Sequence, residues 1–342
     1  MRNYTSSYLI FPIQFQFFND QEIQNQFVIT KYSRMITLTS CGENDFTCGN
    51  GDCVEMEQRC DRSSNCLDET DEKNCSQMKT FEGYSKLFVP KPIKNQTKFQ
   101  LNVSLSFKKI VSIDEFEGKF RAKMIITRMW FNPDLQYFNL KKDPNQNQLS
   151  EEEKDMIWIP WTVFHNVEHE KDVLRTDQVP TVKIVPNADF EFKMSENTHF
   201  EKARIFDGST NFLNYTIEYL VNLICDFDMA WYPFDQQVCT LKLYHSEDSL
   251  MVNPVELQYV GPKVLPQHFV IKTVYCSKIV NGKPGAIAEI HLGRPLFGSI
   301  ITIYIPTSTF VVLCQLVGVF KDEYLDMVIG VNITLLLVFA TL

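Results

Sequence analysis

The sequence predicts a mainly β fold, an immunoglobulin-like sandwich, with a small disulfide-rich module before it and α-helical transmembrane segments after it. Three observations predict this order. Six of the ten cysteines lie between Cys41 and Cys75, short alternating apolar runs fill residues 85–293, and residues 296–320 carry no formal charge. The predicted organisation is an unassigned stretch at 1–40, a module at 41–75, a linker at 76–84, a β domain at 85–293 and a membrane region at 294–342.

Composition favours an extracellular protein that does not bind nucleic acid. Lys and Arg number 33 against 42 Asp and Glu, so the formal charge is -9, whereas binding of phosphate backbones needs a basic face. Inorganic cations fit this surface better than nucleic acid does. Clustered cysteines indicate an oxidising compartment, and three N-glycosylation sequons agree with it: Asn95, Asn102 and Asn214.

Both ends of the sequence indicate a fragment. The first apolar run, SYLIFPIQFQFF, is interrupted by Pro12, Gln14 and Gln16, which is not typical of a signal peptide. The last run, MVIGVNITLLLVFATL, stops at Leu342 without polar residues to close it. We therefore expect sequence beyond both ends, and residues 1–40 fit the last strands of an upstream domain.

The β domain is predicted from alternation of apolar and polar residues. The runs are FQLNVSLSF, AKMIITRMWF, NYTIEYLVNLI, QQVCTLKLY and FVIKTVYC, and turn-rich or charged segments separate them. This pattern is typical of an all-β sandwich. The segment KKDPNQNQLSEEEKD is polar throughout, and we predict an exposed loop there.

Two membrane helices are predicted after the β domain. The uncharged run 296–320 exceeds the roughly 20 residues that span a bilayer, and Pro306 within it is better tolerated in lipid than in a buried soluble helix, which is the alternative. After the short stretch KDEYLD, a second helix at about 326–342 begins a bundle that the chain end truncates. The two helices form a hairpin whose turn lies opposite the β domain, in a multi-pass plasma-membrane protein.

The cysteine-rich segment is too short for an apolar core, so cross-links, with or without a metal, must hold it. Its C-terminal half crowds five carboxylates: Asp61, Asp68, Glu69, Asp71 and Glu72. Carboxylates this close repel one another unless a hard cation gathers them, and oxygen ligands without histidine favour Ca²⁺ over Zn²⁺. The alternative is a disulfide knot with a solvated acidic face.

The cysteine spacing and the run CD…C.D..DE resemble an LDL-receptor class A module. The resemblance implies three disulfides: Cys41–Cys53, Cys48–Cys66 and Cys60–Cys75. It also implies Ca²⁺ as a cofactor, bound by the side chains of Asp61, Asn65, Asp71 and Glu72 and by the carbonyls of Gln58 and Ser63. Asn65 stands where aspartate is usual and Gln58 where tryptophan is usual, so the loss of one negative charge should weaken binding.

The stretch CDFDMAWYPFDQQVC places two cysteines around an apolar tip. Closing such a loop contributes about 3 kcal/mol by restricting the unfolded chain, so stapling of the fold is one explanation. Stapling does not explain the tip, Trp231, Tyr232, Pro233 and Phe234, because exposed turns rarely group such residues. An exposed apolar tip indicates a partner surface, and the outer ends of the membrane helices offer one.

Several motifs, in order, resemble the Cys-loop pentameric ligand-gated ion channels over about residues 85–342. Besides the loop they are IDEFEGKFRAKMIITRMWFNPDL, IWIPWTVFHN, RIFDGSTN, Arg294 just before the first helix, and YIP at Tyr304 to Pro306. The resemblance implies a disulfide Cys225–Cys239, with Trp231 to Phe234 packed on the membrane domain and Asp235 near Arg294. A loop held this way would move as a unit and pass motion of the sandwich to the helices.

The same resemblance implies a homo- or hetero-pentamer of related subunits, each with residues 85–293 as its ligand-binding domain. A small extracellular agonist would open a pore that conducts inorganic ions through the membrane lipid. The alternative is a non-conducting cell-surface or adhesion receptor, in which the LDL-receptor class A module and the β domain merely bind partners.

One face of the second helix carries Val328, Asn332, Leu335, Phe339 and Leu342 at helical spacing. The resemblance places this face on the pore, with Leu335 as a hydrophobic gate and Asn332 hydrating ions. An interhelical hydrogen bond is the alternative role for Asn332.

Asp326, with Glu323 and Asp322 nearby, is acidic where anion channels of the family usually carry arginine. Five symmetric carboxylates about 10 Å from an ion contribute roughly 2 kcal/mol before screening. This weakly favours cations, and the alternative is a solvated linker that faces away from the conduction path.

In this family the agonist lies between subunits, in a box of aromatic side chains. The matching positions are His165, Tyr244, His245, Ser246 and Tyr275 on one subunit and Ile125 and Thr127 on its neighbour. The tryptophan usual after the second cysteine is missing, as is the adjacent cysteine pair of acetylcholine-binding subunits, so a common amine transmitter is not favoured. His165 and His245 would answer to protons or to Zn²⁺ or Cu²⁺, or serve ordinary packing.

No enzymatic activity is expected. The sequence has no nucleophile with a matching base, no phosphate-binding glycine loop and no HExxH motif.

Overall fold

The structure is a computed structural model of the 342-residue chain. It describes residues 39, 41–42, 44–94, 96–167, 169, 173–176, 180–195, 202–265, 268–317, 326–327, 329–331, 333–334 and 337.

The cysteine-rich module is built around disulfides and one small hairpin. Strands β1 (Asp45–Thr47) and β2 (Cys53–Glu55) pair antiparallel, and a 3₁₀ turn follows at Thr70–Glu72. Disulfides join Cys41 to Cys53, Cys48 to Cys66 and Cys60 to Cys75. Among the described residues, the buried apolar core between them consists of Phe46, Cys48, Met56 and Cys66, with Val54 and Met194 packed against it. Covalent links must therefore supply most of the stability, as in other domains of this size.

The module packs directly against the β domain. Arg204 forms an ion pair with Glu57 at 2.9 Å, and the ammonium of Lys141 donates to the carbonyls of Glu57 and Arg59. Strand β3 (Met78–Thr80) lies within the predicted linker and pairs with β6 (Leu135–Phe138). The connection between the module and the domain is therefore part of a sheet.

The larger sheet of the sandwich has six strands. They are β4 (Phe99–Asp114), β5 (Lys119–Phe131), β8 (Val173–Arg175), β9 (Thr181–Val185), β12 (Phe212–Ile224) and β14 (Leu250–Tyr259). Their order is β14-β4-β5-β12-β8, with β9 also paired to β12, and only the β14–β4 pair is parallel. Burial alternates along all of β5, because successive side chains point to opposite faces of a strand.

The second sheet of the sandwich has the order β15-β16-β13-β7. Its strands are β7 (Thr162–Phe164), β13 (Gln236–His245), β15 (Phe269–Val280) and β16 (Lys283–Gly293). A smaller sheet, β10-β11-β6-β3, adds β10 (Lys193–Met194) and β11 (Arg204–Asp207). One apolar core joins them, with Trp130, Phe107, Leu241 and Ile290 among its buried members. The predicted β sandwich is confirmed.

The segment 141–155, predicted as an exposed loop, is exposed at eight of its fifteen positions but contains two short helical turns and four buried residues. A 3₁₀ turn forms at Pro144–Gln146 and helix α1 at Glu151–Lys154. A capping box begins α1: the Ser150 hydroxyl accepts from the Glu153 backbone and the Glu153 carboxylate accepts from the Ser150 backbone. The same carboxylate accepts from the Gln77 backbone N–H at 2.7 Å, so the buried Glu153 joins α1 to the segment that leads into β3.

Three consecutive helical segments follow the sandwich: α2 (Leu296–Ser299), a π-helical turn (Ile300–Tyr304) and α3 (Ile305–Val317). The rest of the predicted first helix, 318–320, lies outside the described residues. Within the part of the chain that the structure describes, none of the helices combines the length and the apolar character needed to cross a bilayer.

Candidate functional site

The loop between Cys225 and Cys239 is braced from within. A disulfide joins its ends, with 5.2 Å between the Cα atoms. The Gln237 amide donates to the Asp228 carbonyl at 2.8 Å and accepts from the Asp228 backbone N–H at 2.9 Å. At the tip, Trp231 is 77% exposed and Phe234 is 68% exposed. The loop is thus a stiff projection with two large apolar side chains at its end.

Asp235, next to the tip, forms a two-point ion pair with Arg294. The Arg294 Nε lies 3.0 Å from Oδ1 and a terminal nitrogen lies 3.1 Å from Oδ2 of Asp235. The two side chains are only 1% and 7% exposed. Arg294 also reaches Glu115 Oε1 at 2.6 Å, and Glu115 sits in the turn between β4 and β5. One guanidinium therefore joins the loop, this turn and the start of the helical segments.

The charges of this cluster stabilise one another. Burial opposes ionisation of Asp235, but hydrogen bonds from Arg294 and Gln237 outweigh it and hold the pKa of Asp235 below its ordinary value. Burial likewise opposes the charge on Arg294, and Asp235 and Glu115 together raise its pKa. His268 closes the cluster, with Nε2 2.8 Å from Glu115 Oε1. Burial lowers the pKa of His268 despite Glu115.

The loop also touches the helical segments directly. The Tyr304 hydroxyl donates to the Tyr232 carbonyl at 3.1 Å, and the Arg294 guanidinium lies 4.7 Å from the centre of the Tyr232 ring. Pro233 between the exposed tip residues is buried. A groove of about 770 Å³ separates the β4–β5 turn from Pro295 and Ile303. The contact between sandwich and helices is made by a few polar groups around this groove.

The predicted agonist-binding residues fall into separate groups. His165 and Tyr244 meet edge to face, with ring centroids 6.2 Å apart, and Ser246 is exposed close by in sequence. All three belong to the β15-β16-β13-β7 sheet or its edge. Ile125 and Thr127 lie on the outward face of β5 in the six-stranded sheet, where Thr127 contacts the Thr216 hydroxyl at 3.3 Å.

His245 and Tyr275 do not lie in an open box of aromatics. His245 is fully buried and its Nδ1 lies 2.9 Å from the Trp161 carbonyl. Burial, reinforced by the charge of Arg128, lowers the pKa of His245 to about 4. Tyr275 packs against the main core, and burial raises its pKa. His245 turns inward because it shares a face of β13 with Leu241 and Leu243.

The side chains expected to hold Ca²⁺ surround one loop of the module. Asp71 Oδ2 accepts from the Asn65 backbone N–H at 2.7 Å, Asp61 Oδ1 from that of Ser63 at 2.8 Å, and Glu72 Oε1 from that of Asp61 at 2.8 Å. The other oxygen of Asp71, Oδ1, is buried without a hydrogen-bond partner. A buried carboxylate oxygen in that state fits a cation ligand, but the carboxylates of Asp61, Asp71 and Glu72 do not all lie within 4.8 Å of one another in the described structure.

Asn65 is the least typical member of this group. Its amide nitrogen donates to the Ser63 carbonyl at 3.0 Å and lies 3.4 Å from both Asp61 oxygens, and its oxygen accepts from Gln58 at 3.2 Å. Across the described residues, the set of three acidic or sulfur ligand atoms within 4.8 Å of one another is Cys48, Cys66 and Asp68. The disulfide between those cysteines leaves them unable to bind a metal as thiolates.

Comparison with known families finds two matches, which together cover residues 39–260. Residues 76–260, more than half of it, match the neurotransmitter-gated ion-channel ligand binding domain. The chain belongs to this family. Residues 39–75 match the low-density lipoprotein receptor domain class A. The resemblances to the Cys-loop channels and to the LDL-receptor class A module are therefore confirmed.

About half of the chain aligns with neuronal acetylcholine receptor subunits. Identity is 27% over 165 residues with the alpha-2 subunit of Homo sapiens, covering 47% of this chain and 25% of the relative. It is 28% over 169 residues with the human alpha-4 subunit, covering 48% and 22%, and 27% with the alpha-2 subunit of Rattus norvegicus, covering 47% and 26%. The alignments span about a quarter of the length of these relatives.

Two of the predicted glycosylation sites and one predicted pore residue lie within the described residues. Asn102 and Asn214 are half-buried within long strands, where Asn102 accepts from Asn253 and Asn214 from Thr216. Of the pore positions, Asp326 is exposed. The others and one sequon lie outside the described residues: Asn95, Val328, Asn332, Leu335, Phe339 and Leu342.

Three residues of the ligand-binding domain were missed from sequence. Glu115 and His268 join the Arg294 cluster, and Arg128 lies buried in the sandwich. The alternation along β5 places Arg128 on the same face as Trp130 and Ile126. A charged residue at a position expected in the core is the sequence feature that could have identified Arg128.

Proposed function

We propose that the chain is a subunit of a pentameric, multi-pass, ligand-gated ion channel of the plasma membrane. The observation that carries this proposal is the double attachment of the Cys225–Cys239 loop to the helical segments. Asp235 pairs with Arg294, and the Tyr232 carbonyl accepts from Tyr304. Movement of the sandwich would thus reach the first helix through contacts already in place.

Exposed aromatic side chains at the same end support this role. Phe116, at the β4–β5 turn, is fully exposed, as are most of Trp231 and Phe234. Large apolar side chains grouped at one end of a domain indicate a partner surface. In the proposed channel they contact the outer ends of the helices and the adjoining lipid.

Agonist binding is proposed at the interface between subunits. His165, Tyr244 and Ser246 form one side, on the four-stranded sheet, and Ile125 and Thr127 of a neighbouring subunit form the other. Among the described residues proposed for the first side, the aromatic contact is the single pair His165 and Tyr244, so we propose a small extracellular agonist other than a common amine transmitter.

Conduction is proposed through a pore lined by Val328, Asn332, Leu335 and Phe339, with a ring of Asp326 favouring cations. This assignment rests on the resemblance and on the exposure of Asp326.

Calcium is proposed as the resident cation of the LDL-receptor class A module. The side chains of Asp61, Asn65, Asp71 and Glu72 and the carbonyls of Gln58 and Ser63 would hold it, which accounts for the unpartnered Asp71 Oδ1. When bound, Ca²⁺ supplies positive charge that gathers these carboxylates. Arg59 also stabilises this loop, because its guanidinium donates to the carbonyls of Thr70, Asp71 and Lys73.

The test is to express the full-length protein in cultured cells and record currents during screens of agonists, pH and transition metals. A double-mutant cycle with Asp235→Asn and Arg294→Gln then probes the coupling. Each single change should weaken activation at normal surface delivery, and the double change should cost less than their sum, since both break the same pair.

The matched control is the exposed ion pair between Asp248 and Lys283, in which Nζ lies 2.9 Å from Oδ1. Lys283 stands at the start of β16, at the opposite end of that strand from Gly293, which precedes the helical segments. Asp248→Asn and Lys283→Gln should leave activation unchanged, singly and together. Currents that shift with the cation gradient would support cation preference. Silence in every condition despite surface delivery would favour a non-conducting receptor instead.

A further inference from the structure

A partly open cavity of about 520 Å³ lies between the inner face of the six-stranded sheet and residues 159–164. Two arginines, Arg128 and Arg175, line it together with Tyr215 and Tyr219, and no acidic residue among those described does so. Much of the remaining wall is apolar, including Val163. The cavity therefore combines positive charge with an apolar surface.

Arg128 is the unusual group in this wall. Its side chain is 1% exposed, and its polar partner in the described part of the chain is the Tyr219 hydroxyl, at 3.2 Å. The guanidinium also lies 5.4 Å from the centre of the Tyr215 ring, and Nε has no hydrogen-bond partner. A buried charge with only neutral partners is strongly unfavourable unless something of opposite sign joins it.

The neighbours of Arg128 on the other sheet offer no counter-charge. His245 is neutral at pH 7, because burial and the charge of Arg128 lower its pKa to about 4. Tyr275 is also neutral, because burial raises its pKa. His245 Nε2 and the Tyr275 hydroxyl are buried without hydrogen-bond partners. Three polar side chains in one region of the core thus have unused hydrogen-bonding atoms.

We propose that this cavity binds a small organic anion, a monocarboxylate with an apolar body. The carboxylate pairs with the Arg128 guanidinium, whose planar set of donors suits two-point binding of a carboxylate. The exposed Arg175 attracts the anion to the cavity. The apolar body lies against Trp161 and Val163, a surface that a hydrated inorganic ion would not use. The residues that line the site belong to one chain, so the proposal does not depend on the proposed channel function.

Thermal unfolding of the purified full-length protein tests this site, with sodium benzoate as the probe. Benzamide has nearly the same shape without the charge, and sodium chloride supplies an inorganic anion at equal ionic strength. Benzoate should raise the unfolding midpoint in a saturable way at concentrations up to about 10 mM, which covers millimolar binding. An equal rise with chloride would mean an inorganic anion site, and an equal rise with benzamide, or none with benzoate, would overturn the charge pairing.

Two variants locate the effect. Arg128→Met should abolish the benzoate shift and, without benzoate, should raise the midpoint, because it removes an unpaired buried charge. Arg121→Met is the matched control, since it makes the same change on the opposite face of β5 and should keep the full shift. A benzoate shift that survives Arg128→Met would overturn the proposal. If Arg128→Met does not fold, the comparison of benzoate with benzamide and chloride on the unaltered protein still decides it.

Discussion

His268 Nε2 lies 2.8 Å from Glu115 Oε1, the same oxygen that Arg294 approaches at 2.6 Å. His268 is 1% exposed, and Asp235 completes the set of charged groups around it. Protonation of this imidazole would add a second positive charge beside Arg294 at the same carboxylate oxygen. The contact between sandwich and helices therefore contains a group that responds to acid.

The first prediction concerns this histidine. Its pKa in the folded protein is below its ordinary value because burial outweighs Glu115, so the unfolded chain binds more protons as pH falls below about 6.5. Stability contributed by neutral His268 is therefore present at neutral pH and lost on acidification. His268→Gln should flatten the fall in the free energy of unfolding between neutral and mildly acidic pH, measured by denaturant titration.

Position explains why this cluster was only half predicted. The resemblance to the Cys-loop channels predicts the pairing of Asp235 with Arg294, because each residue occupies a fixed position in a motif of that family. Glu115 lies 179 residues from Arg294 in sequence, and the two meet because the β4–β5 turn reaches the end of the sandwich where the helical segments begin. His268 precedes β15 in a connection without a repeating pattern, so no local signal marks its contact with Glu115.

The second prediction concerns Glu153, at the capping box of α1. Its carboxylate accepts from Ser150, Ser76 and Gln77, so Glu153→Gln replaces an acceptor of three bonds by an amide that accepts fewer. The change should lower the free energy of unfolding by about 2 kcal/mol, because hydrogen bonds to charged groups are stronger than neutral ones. Glu152→Gln, one residue earlier and exposed, should change it by less than about 0.5 kcal/mol. Equal effects would show that α1 is not anchored through Glu153.

The motif that begins α1 was readable from sequence, whereas its partners were not. Ser150 followed by Glu153 fits a capping box, yet the polar composition of residues 141–155 favoured a loop. Strand alternation could likewise have predicted that His245 is buried, because it shares a face of β13 with Leu241 and Leu243. For Tyr275 no such signal was available, because Thr273, two residues earlier on the same strand, is polar.

The third prediction concerns His245. Its folded pKa of about 4 lies below its ordinary value of 6.5, so stability falls as pH drops from about 6.5 and levels off near pH 4. A shift of this size corresponds to about 3 kcal/mol. His245→Asn keeps a donor for the Trp161 carbonyl and should remove most of this acid dependence, measured by urea unfolding at several pH values.

The control for His245 is His165→Asn, on the exposed edge of the same sheet. It should retain the acid dependence of the unaltered protein. An acid dependence that persists in His245→Asn would show that another buried group causes it, and His268→Gln measured in parallel would identify that group.

The fourth prediction concerns Asn65 in the LDL-receptor class A module, where the amide nitrogen now donates toward Ser63 and Asp61. Asn65→Asp replaces this donor by a charged oxygen and frees both acceptors for a cation. Calcium affinity, measured by isothermal titration calorimetry, should rise about tenfold, equivalent to 1.4 kcal/mol.

Ser64→Asp adds the same charge one residue away, on an exposed side chain, and should change affinity by less than about twofold because exposed charges are screened. Asp71→Asn, which alters the buried and unpartnered oxygen, should abolish binding. Comparable gains in the two aspartate variants would mean that general charge governs affinity, whereas a gain confined to Asn65→Asp would assign that side chain to the coordination sphere.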